Sequence, residues 1–228
     1  MQSLHCPIRP LAYYIVARLV DYPYDEDFEK LPELLREASR VFGDAREIHE
    51  GFGELSAMAM KALELLKREA GSIGRDMFQA EYVALFELGM PQPPCPLREH
   101  VYKGEAGSMK VRLVGPYYTA PGLLLMAELQ ALYASEGLTT LRYPPDHLVV
   151  ELEYMHHLTT RQCSEEKPKR SLLLKQLNFV KGHLDWLPKL RSCVDKHSKL
   201  EYFKTIVRMV EKYVEIDRAL LADATGVQ

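Results

Sequence analysis

Apolar residues recur at intervals of three and four positions through most of the chain, the spacing that places them on one face of an α-helix. The alternation typical of half-buried strands is hard to find outside residues 110–114. The pattern therefore predicts an all-α fold. Its first helix runs from Ile8 to Val20 and ends before Pro23, because proline lacks the backbone donor and its ring obstructs the preceding turn.

Further helices follow the same pattern, each bounded by glycine or proline. Their expected spans are about 25–42, 45–71, 76–88, 118–135, 144–163, 169–186 and 200–222. In the helix that opens at residue 144, Asp146 is expected to cap the free backbone donors of the first turn. Residues 90–96 hold four prolines in seven positions, which favours an extended loop of fixed shape.

Residues 103–115 carry three glycines and mixed polarity, so they are predicted to form a flexible connection. This connection divides the chain into an N-terminal helical half, residues 1–102, and a C-terminal helical half, residues 116–228. The two halves are expected to make one domain. A hinge of this kind permits either a monomer or a dimer that exchanges helical halves between two chains.

Composition and charge narrow the range of functions. With 228 residues, of which 47% are apolar, the chain is long enough to bury a core. Its 29 basic residues nearly balance its 32 acidic ones, so the sequence predicts no nucleic-acid partner. No apolar stretch is long enough to cross a bilayer, and the N-terminus lacks a secretion signal. A cytoplasmic protein is therefore expected.

The cysteines at positions 6, 95, 163 and 193 are far apart in sequence, and none of them belongs to a Cys-x-x-Cys pair. In a reducing compartment this spacing favours free thiols. The sequence therefore predicts neither a thiolate metal site nor a disulfide.

Motifs that carry catalysis are missing from the sequence. It has no phosphate-binding glycine loop, no Gly-x-Ser-x-Gly and no His-Glu-x-x-His. The alternative left open is a helical metalloenzyme that uses Glu153 and His156, which are spaced as Glu-x-x-His, together with His147 and Glu151. Helical di-iron sites need that motif twice, and it occurs once here. We therefore expect no enzyme activity, no cofactor and no metal.

Three segments are distinctive without being catalytic. Residues 78–86 read Phe-Gln-Ala-Glu-Tyr-Val-Ala-Leu-Phe and are followed by the proline loop and Tyr102. Residues 143–155 read Tyr-Pro-Pro-Asp-His-Leu-Val-Val-Glu-Leu-Glu-Tyr-Met, and residues 179–188 read Phe-Val-Lys-Gly-His-Leu-Asp-Trp-Leu-Pro. In these segments the chain resembles the TorD/DmsD/NarJ family of redox enzyme maturation chaperones.

This resemblance implies an all-helical, TorD-like chaperone without enzyme activity. Its partner would be the twin-arginine leader, or the immature catalytic subunit, of a molybdopterin oxidoreductase, held back from export until its cofactor is inserted. A leader that combines arginines with an apolar stretch needs an apolar groove bordered by carboxylates. The resemblance and this argument together give ten expected peptide-binding residues: Glu81, Tyr82, Leu85, Phe86, Pro94, Glu99, Tyr102, Asp146, His147 and Glu151.

Overall fold

The computed structural model describes residues 5–103, 113–114, 117–118, 122–165 and 169–227, and in these ranges it contains ten helices and one pair of short strands. The helices are α1 Ile8–Val20, α2 Asp25–Asp44, α3 Gly51–Ile73, α4 Arg75–Phe86, α5 Glu99–Lys103, α6 Leu123–Ala134, α7 Leu148–Ser164, α8 Arg170–His183, α9 Leu187–His197 and α10 Glu201–Thr225. Strand β1 Leu113–Val114 pairs antiparallel with β2 Tyr117–Tyr118. The predicted all-α class is confirmed.

Several predicted boundaries need correction. Helix α1 has the bounds that the sequence predicts, but α6 begins at Leu123 because Tyr118 belongs to β2. The sequence does not predict α9, because the preceding helix is expected to stop at residue 186, just before Pro188. Pro188 instead lies in the first turn of α9, where its missing N–H group costs no hydrogen bond.

Helix packing interleaves the two ends of the chain around one apolar core. Helix α1 packs against α7, α2 packs against α3, and α10 lies against α3, α8 and α9. Aromatic side chains fill the centre: Tyr13 meets Tyr213 at 4.9 Å between ring centroids, and Phe78 meets Phe203 at 5.0 Å. The packed core therefore contains helices from both predicted halves.

A buried polar network joins four of these helices. The Arg9 guanidinium of α1 pairs with the Asp217 carboxylate of α10, with 3.0 Å between Nη2 and Oδ2. Arg9 also donates to the side-chain oxygens of Gln162 in α7 and Gln176 in α8, each at 2.7 Å. The Tyr13 hydroxyl donates to Asp217 at 2.7 Å. The charged groups are thus paired where water does not reach them.

The prediction of free thiols is wrong. Cys6 is bonded to Cys163 and Cys95 to Cys193, with Cα atoms 5.6 Å and 5.8 Å apart, within the range that a disulfide requires. The partners are separated by 157 and 98 residues, so sequence spacing gave no sign of the pairing. One bond fixes the start of α1 to the end of α7, and the other fixes the proline loop to α9.

The predicted flexible connection at residues 103–115 lies largely outside the described residues, so the division into two halves stays a prediction. In the part of the chain that the structure describes, every helix is too short or too polar to span a lipid bilayer.

Candidate functional site

The proline loop and the residues that follow it, up to Glu99, connect the C-terminal end of α4 with the N-terminal end of α7. The Cys95 N–H donates to the Leu85 carbonyl at 2.9 Å. Further along, the Glu99 N–H donates to the Asp146 carbonyl at 2.9 Å, and the Leu148 N–H to the Leu97 carbonyl at 3.0 Å. These backbone bonds bring the two most distinctive sequence segments to one region of the molecule.

The aromatic residues at the end of α4 belong to the core. Tyr82 is 2% exposed and Phe86 6% exposed, and both rings contact Phe203 of α10. The Tyr82 hydroxyl donates to the Val20 carbonyl at 2.9 Å. Because these side chains are buried, they do not line an open groove in this structure.

Three other predicted residues line a shallow depression at the protein surface. Leu85 forms its apolar side, Pro94 lies on its exposed edge, and Glu81 pairs with Lys199 across it at 2.8 Å. The depression has a volume of about 170 Å³. It is too small to hold an apolar peptide helix, but it adjoins the proline loop.

Asp146 is fully buried rather than exposed at a rim. Its carboxylate accepts a hydrogen bond from Arg98 Nε at 2.8 Å and a second one from the His100 ring. Burial by itself would raise the pKa of Asp146, but the His100 hydrogen bond and the Arg98 charge hold that pKa below its ordinary value. Asp146 is therefore a paired anion that fixes Arg98 and α5 to the start of α7.

The cap of α7 is His147, one residue later than predicted. Its Nδ1 accepts the Val149 N–H at 3.3 Å, while the Asp146 side chain is bonded to Arg98 and His100. Burial, followed by the positive charge of Arg98, lowers the pKa of His147 to about 3. The ring is therefore neutral near pH 7, and it stacks on the Tyr143 ring with centroids 3.9 Å apart.

Glu99 and Glu151 form a carboxyl pair without exposure to solvent. Burial, and then the neighbouring charge of Glu99, raise the pKa of Glu151 well above its ordinary value. Lys103 lies 3.0 Å from Glu99, and the Trp186 indole donates to Glu151 at 3.2 Å. Tyr102 stacks on Trp186 with ring centroids 5.1 Å apart.

The single apolar groove with an acidic rim that the sequence predicts is not open among the described residues. Glu99, Asp146 and Glu151 do come together, but their carboxyl groups are buried and have their own partners. No observation tests the role of the ten residues in peptide binding, which stays a prediction.

An open cleft of about 360 Å³ lies nearby, between α1, α7 and the segment that joins α6 to α7. Apolar side chains such as Val149 and Leu141 line it together with charged ones, and Leu141 is 93% exposed. At its edge Arg18 pairs with Glu153 at 2.8 Å, and Arg142 contacts Asp21 at 3.0 Å. Asp21 and Arg142 are not among the residues predicted from sequence, because neither belongs to one of the three distinctive segments.

The residues of the metalloenzyme alternative do not converge. Glu153 pairs with Arg18, and His156 Nδ1 lies 2.9 Å from the Pro10 carbonyl oxygen. Glu151 contacts Trp186 in the interior, while His147 caps its own helix. Across the described ranges, no group of three or more histidine, cysteine or acidic side chains has a geometry suited to a metal ion.

A comparison with protein families identifies the family of this chain. The model of the nitrate reductase delta subunit family matches residues 46–192, more than half of the chain. The chain belongs to this family. The matched range contains the Phe78–Phe86 segment, the proline loop and helix α7. The resemblance drawn from those segments is confirmed.

Two curated proteins are also similar in sequence to this chain. The perchlorate reductase assembly chaperone protein of Dechloromonas aromatica strain RCB is 30% identical over 145 residues, which cover 60% of this chain and 58% of that protein. The chaperone protein TorD of Vibrio parahaemolyticus is 26% identical over 100 residues, which cover 41% and 46%. The chain thus spans about half the length of the curated relatives that it matches.

A solved structure supports the fold. The crystal structure described as a putative redox enzyme maturation protein from Archaeoglobus fulgidus superimposes with a TM-score of 0.51. The superposition covers 92% of this chain and 95% of the other, at 21% sequence identity. At that identity the likeness establishes the shared helical architecture.

Proposed function

We propose that the chain is a chaperone that binds the leader peptide or the immature catalytic subunit of a molybdopterin oxidoreductase in the cytosol, and assists cofactor insertion and assembly before export. The observation that carries this proposal is the family match over residues 46–192. It is supported by two relatives whose names describe chaperones, one of them for a reductase. In this proposal the chain binds and releases its client and catalyses no reaction.

The α1–α7 cleft has the chemistry that such a client requires. A leader peptide presents arginines beside an apolar, helix-prone stretch, and this cleft combines apolar walls with the carboxylates of Asp21 and Glu153. Leu141, which protrudes from the joining segment, offers an apolar contact at the edge of the cleft. Arginine pairs well with carboxylates that are partly shielded from water, and Asp21 is only 7% exposed.

Under this proposal, the residues predicted from sequence act at two places. Asp146 and His147 hold the start of α7 in place, and His147 stacks on Tyr143, which lines the cleft. Glu81, Leu85 and Pro94 offer a second, smaller contact at the depression beside α4. A client that spans both places would gain affinity from each of them.

Titration of the purified chain tests the proposal. One probe is a fluorescent peptide in which two adjacent arginines precede a leucine-rich segment, and a second peptide carries lysines in place of the arginines. We expect saturable binding that weakens with added salt and is stronger for arginine than for lysine. The cofactor-free catalytic subunit of a molybdopterin oxidoreductase is the other ligand. Binding to neither ligand at low salt would refute the proposed function.

A further inference from the structure

The carboxylate of Asp21 lies in a small cage that surrounds a guanidinium group. Asp21 follows the last residue of α1 and accepts hydrogen bonds from Arg142 at 3.0 Å and from the Tyr143 hydroxyl at 2.7 Å. The Arg142 guanidinium carbon lies 4.5 Å from the centre of the Tyr24 ring and 4.6 Å from that of Tyr143. A carboxylate combined with two aromatic faces matches a planar cation better than it matches a compact ammonium group.

This cage lies where two clefts meet. The α1–α7 cleft and a second cleft of about 310 Å³ between α1 and α2 are both lined by Arg18 and Asp21. The base of the second cleft is apolar, with Leu31 and Leu34, and its edge carries Asp27 and Glu33. An extended ligand that crosses from one cleft to the other passes the Asp21 carboxylate of the cage.

The guanidinium that fills the cage belongs to a segment without regular structure. Arg142 lies between α6 and α7, in residues 135–147, and its side chain is 39% exposed. Helix α6, which precedes this segment, buries only Leu129 and Tyr133. Moving Arg142 out of the cage therefore disturbs little of the packed core, whereas Asp21 is held by the Tyr22 N–H at 2.7 Å.

We propose that Asp21, Tyr24 and Tyr143 form a binding site for an arginine of the client, and that Arg142 occupies this site in the free chain. The inference rests on the proposed function and deepens it by naming the chemical group that is recognised. A client arginine replaces one guanidinium with another, so the ion pair with Asp21 is exchanged and not lost. Arg142 then acts as an internal competitor that lowers the affinity for the client by the fraction of time it fills the site.

Titrations of variants of the 228-residue chain test this site with the arginine and lysine peptides described above. Arg142→Ala removes the guanidinium from between the two rings and leaves Asp21 with Arg18, whose Nη1 lies 3.5 Å from the carboxylate. This variant should bind the arginine peptide more tightly, by on the order of tenfold if Arg142 fills the site nine-tenths of the time. Asp21→Asn should weaken the same binding. The gain from Arg142→Ala should disappear in the double variant with Asp21→Asn, because both changes act on one cage.

Arg191→Ala is the matched control. Arg191 has the same side-chain exposure of 39% and also pairs with carboxylates, but it lies on α9 away from both clefts. Removing it changes the net charge equally and should leave peptide binding unchanged. Thermal melts of each variant verify folding, and a fluorescent label on the peptide reports affinity independently of stability.

The results of these titrations distinguish a failure of the arginine site from a failure of the proposed chaperone function. If the wild-type chain binds the arginine peptide and Arg142→Ala binds it equally or more weakly, Arg142 is an ordinary structural ion pair and the inference is overturned. A gain that persists in the double variant also overturns it, because the gain then has nothing to do with Asp21. Capture of the catalytic subunit by Asp21→Asn at wild-type affinity would reject the cage while leaving the chaperone function intact.

Discussion

The Arg9 guanidinium and the Asp217 carboxylate are both removed from water, and each depends on the other for its charge to be tolerated. Asp217→Asn removes the negative charge and leaves Arg9 buried without its counter-ion. We expect the free energy of unfolding to fall by about 3–5 kcal/mol, as measured by urea denaturation. Asp185→Asn provides the comparison, because Asp185 pairs with Lys103 while 48% exposed and should change stability little. Equal effects of the two substitutions would contradict the role given to the network.

His147 makes folding sensitive to acid. Its pKa is lowered from 6.5 to about 3, so the folded chain holds a neutral ring that the unfolded chain protonates below pH 6.5. The stability from this residue is complete above pH 6.5 and is lost progressively as the pH falls toward 3. His147→Asn retains a good helix cap without a titrating group. Thermal melts should show a smaller loss of stability over that interval, and an unchanged pH dependence would count against the effect.

At the residue scale, the part of Glu99 and Asp146 in peptide binding stays a prediction. In the structure the two residues do lie together, as a shared groove requires. Their burial was not predicted, because their partners come from distant positions: Arg98 is 48 residues from Asp146, and His183 is 84 residues from Glu99. A single position in the sequence shows that a residue carries a carboxylate, whereas the groups that pair with it are set by tertiary contacts.

Among the elements, α6 is held by few contacts and begins at a crowded glycine. Gly122 has φ of +81°, and a Cβ atom there would lie 2.7 Å from the His100 Cβ. Gly137, beyond the other end of α6, has φ of +74° and open space around it. Alanine should cost about 1 kcal/mol at either position because of the backbone conformation. Gly122→Ala should cost roughly 1–3 kcal/mol more from steric overlap.

Chemical denaturation of the two alanine variants measures that difference. Because His100 also bonds to Asp146, the overlap at Gly122 should disturb the contact that fixes α5 to the start of α7. Equal destabilisation by Gly122→Ala and Gly137→Ala would mean that α6 moves aside without cost.

Helix boundaries were predictable wherever local chemistry determines them. The end of α1 follows from Pro23, and its predicted span agrees with the structure. Pro188 was misinterpreted because proline both ends one helix and begins another, and the choice depends on how Trp186 and Leu187 pack. The short helix α5 has no periodic pattern of its own and forms against the start of α7.

For the whole molecule, the two disulfides should contribute measurably to stability. In the oxidised chain no thiol should react with an alkylating reagent, whereas reduction should release four reactive thiols, which mass spectrometry counts. Replacing Cys95 and Cys193 together by serine should lower the free energy of unfolding by about 2–4 kcal/mol, because their loop is long. Four reactive thiols before reduction would instead restore the original expectation from sequence.

These two bonds also limit the predicted exchange of helical halves between two copies of the chain. Each one connects a cysteine before residue 103 with a cysteine after residue 115, and so closes a covalent ring across the predicted connection. An oxidised monomer cannot open to trade its halves with a neighbour. Any exchanged pair formed before oxidation becomes covalently linked, and it migrates at twice the mass on a denaturing gel until a reductant is added. Oxidation before such an exchange would therefore leave a monomer, and oxidation after it would leave a covalent dimer.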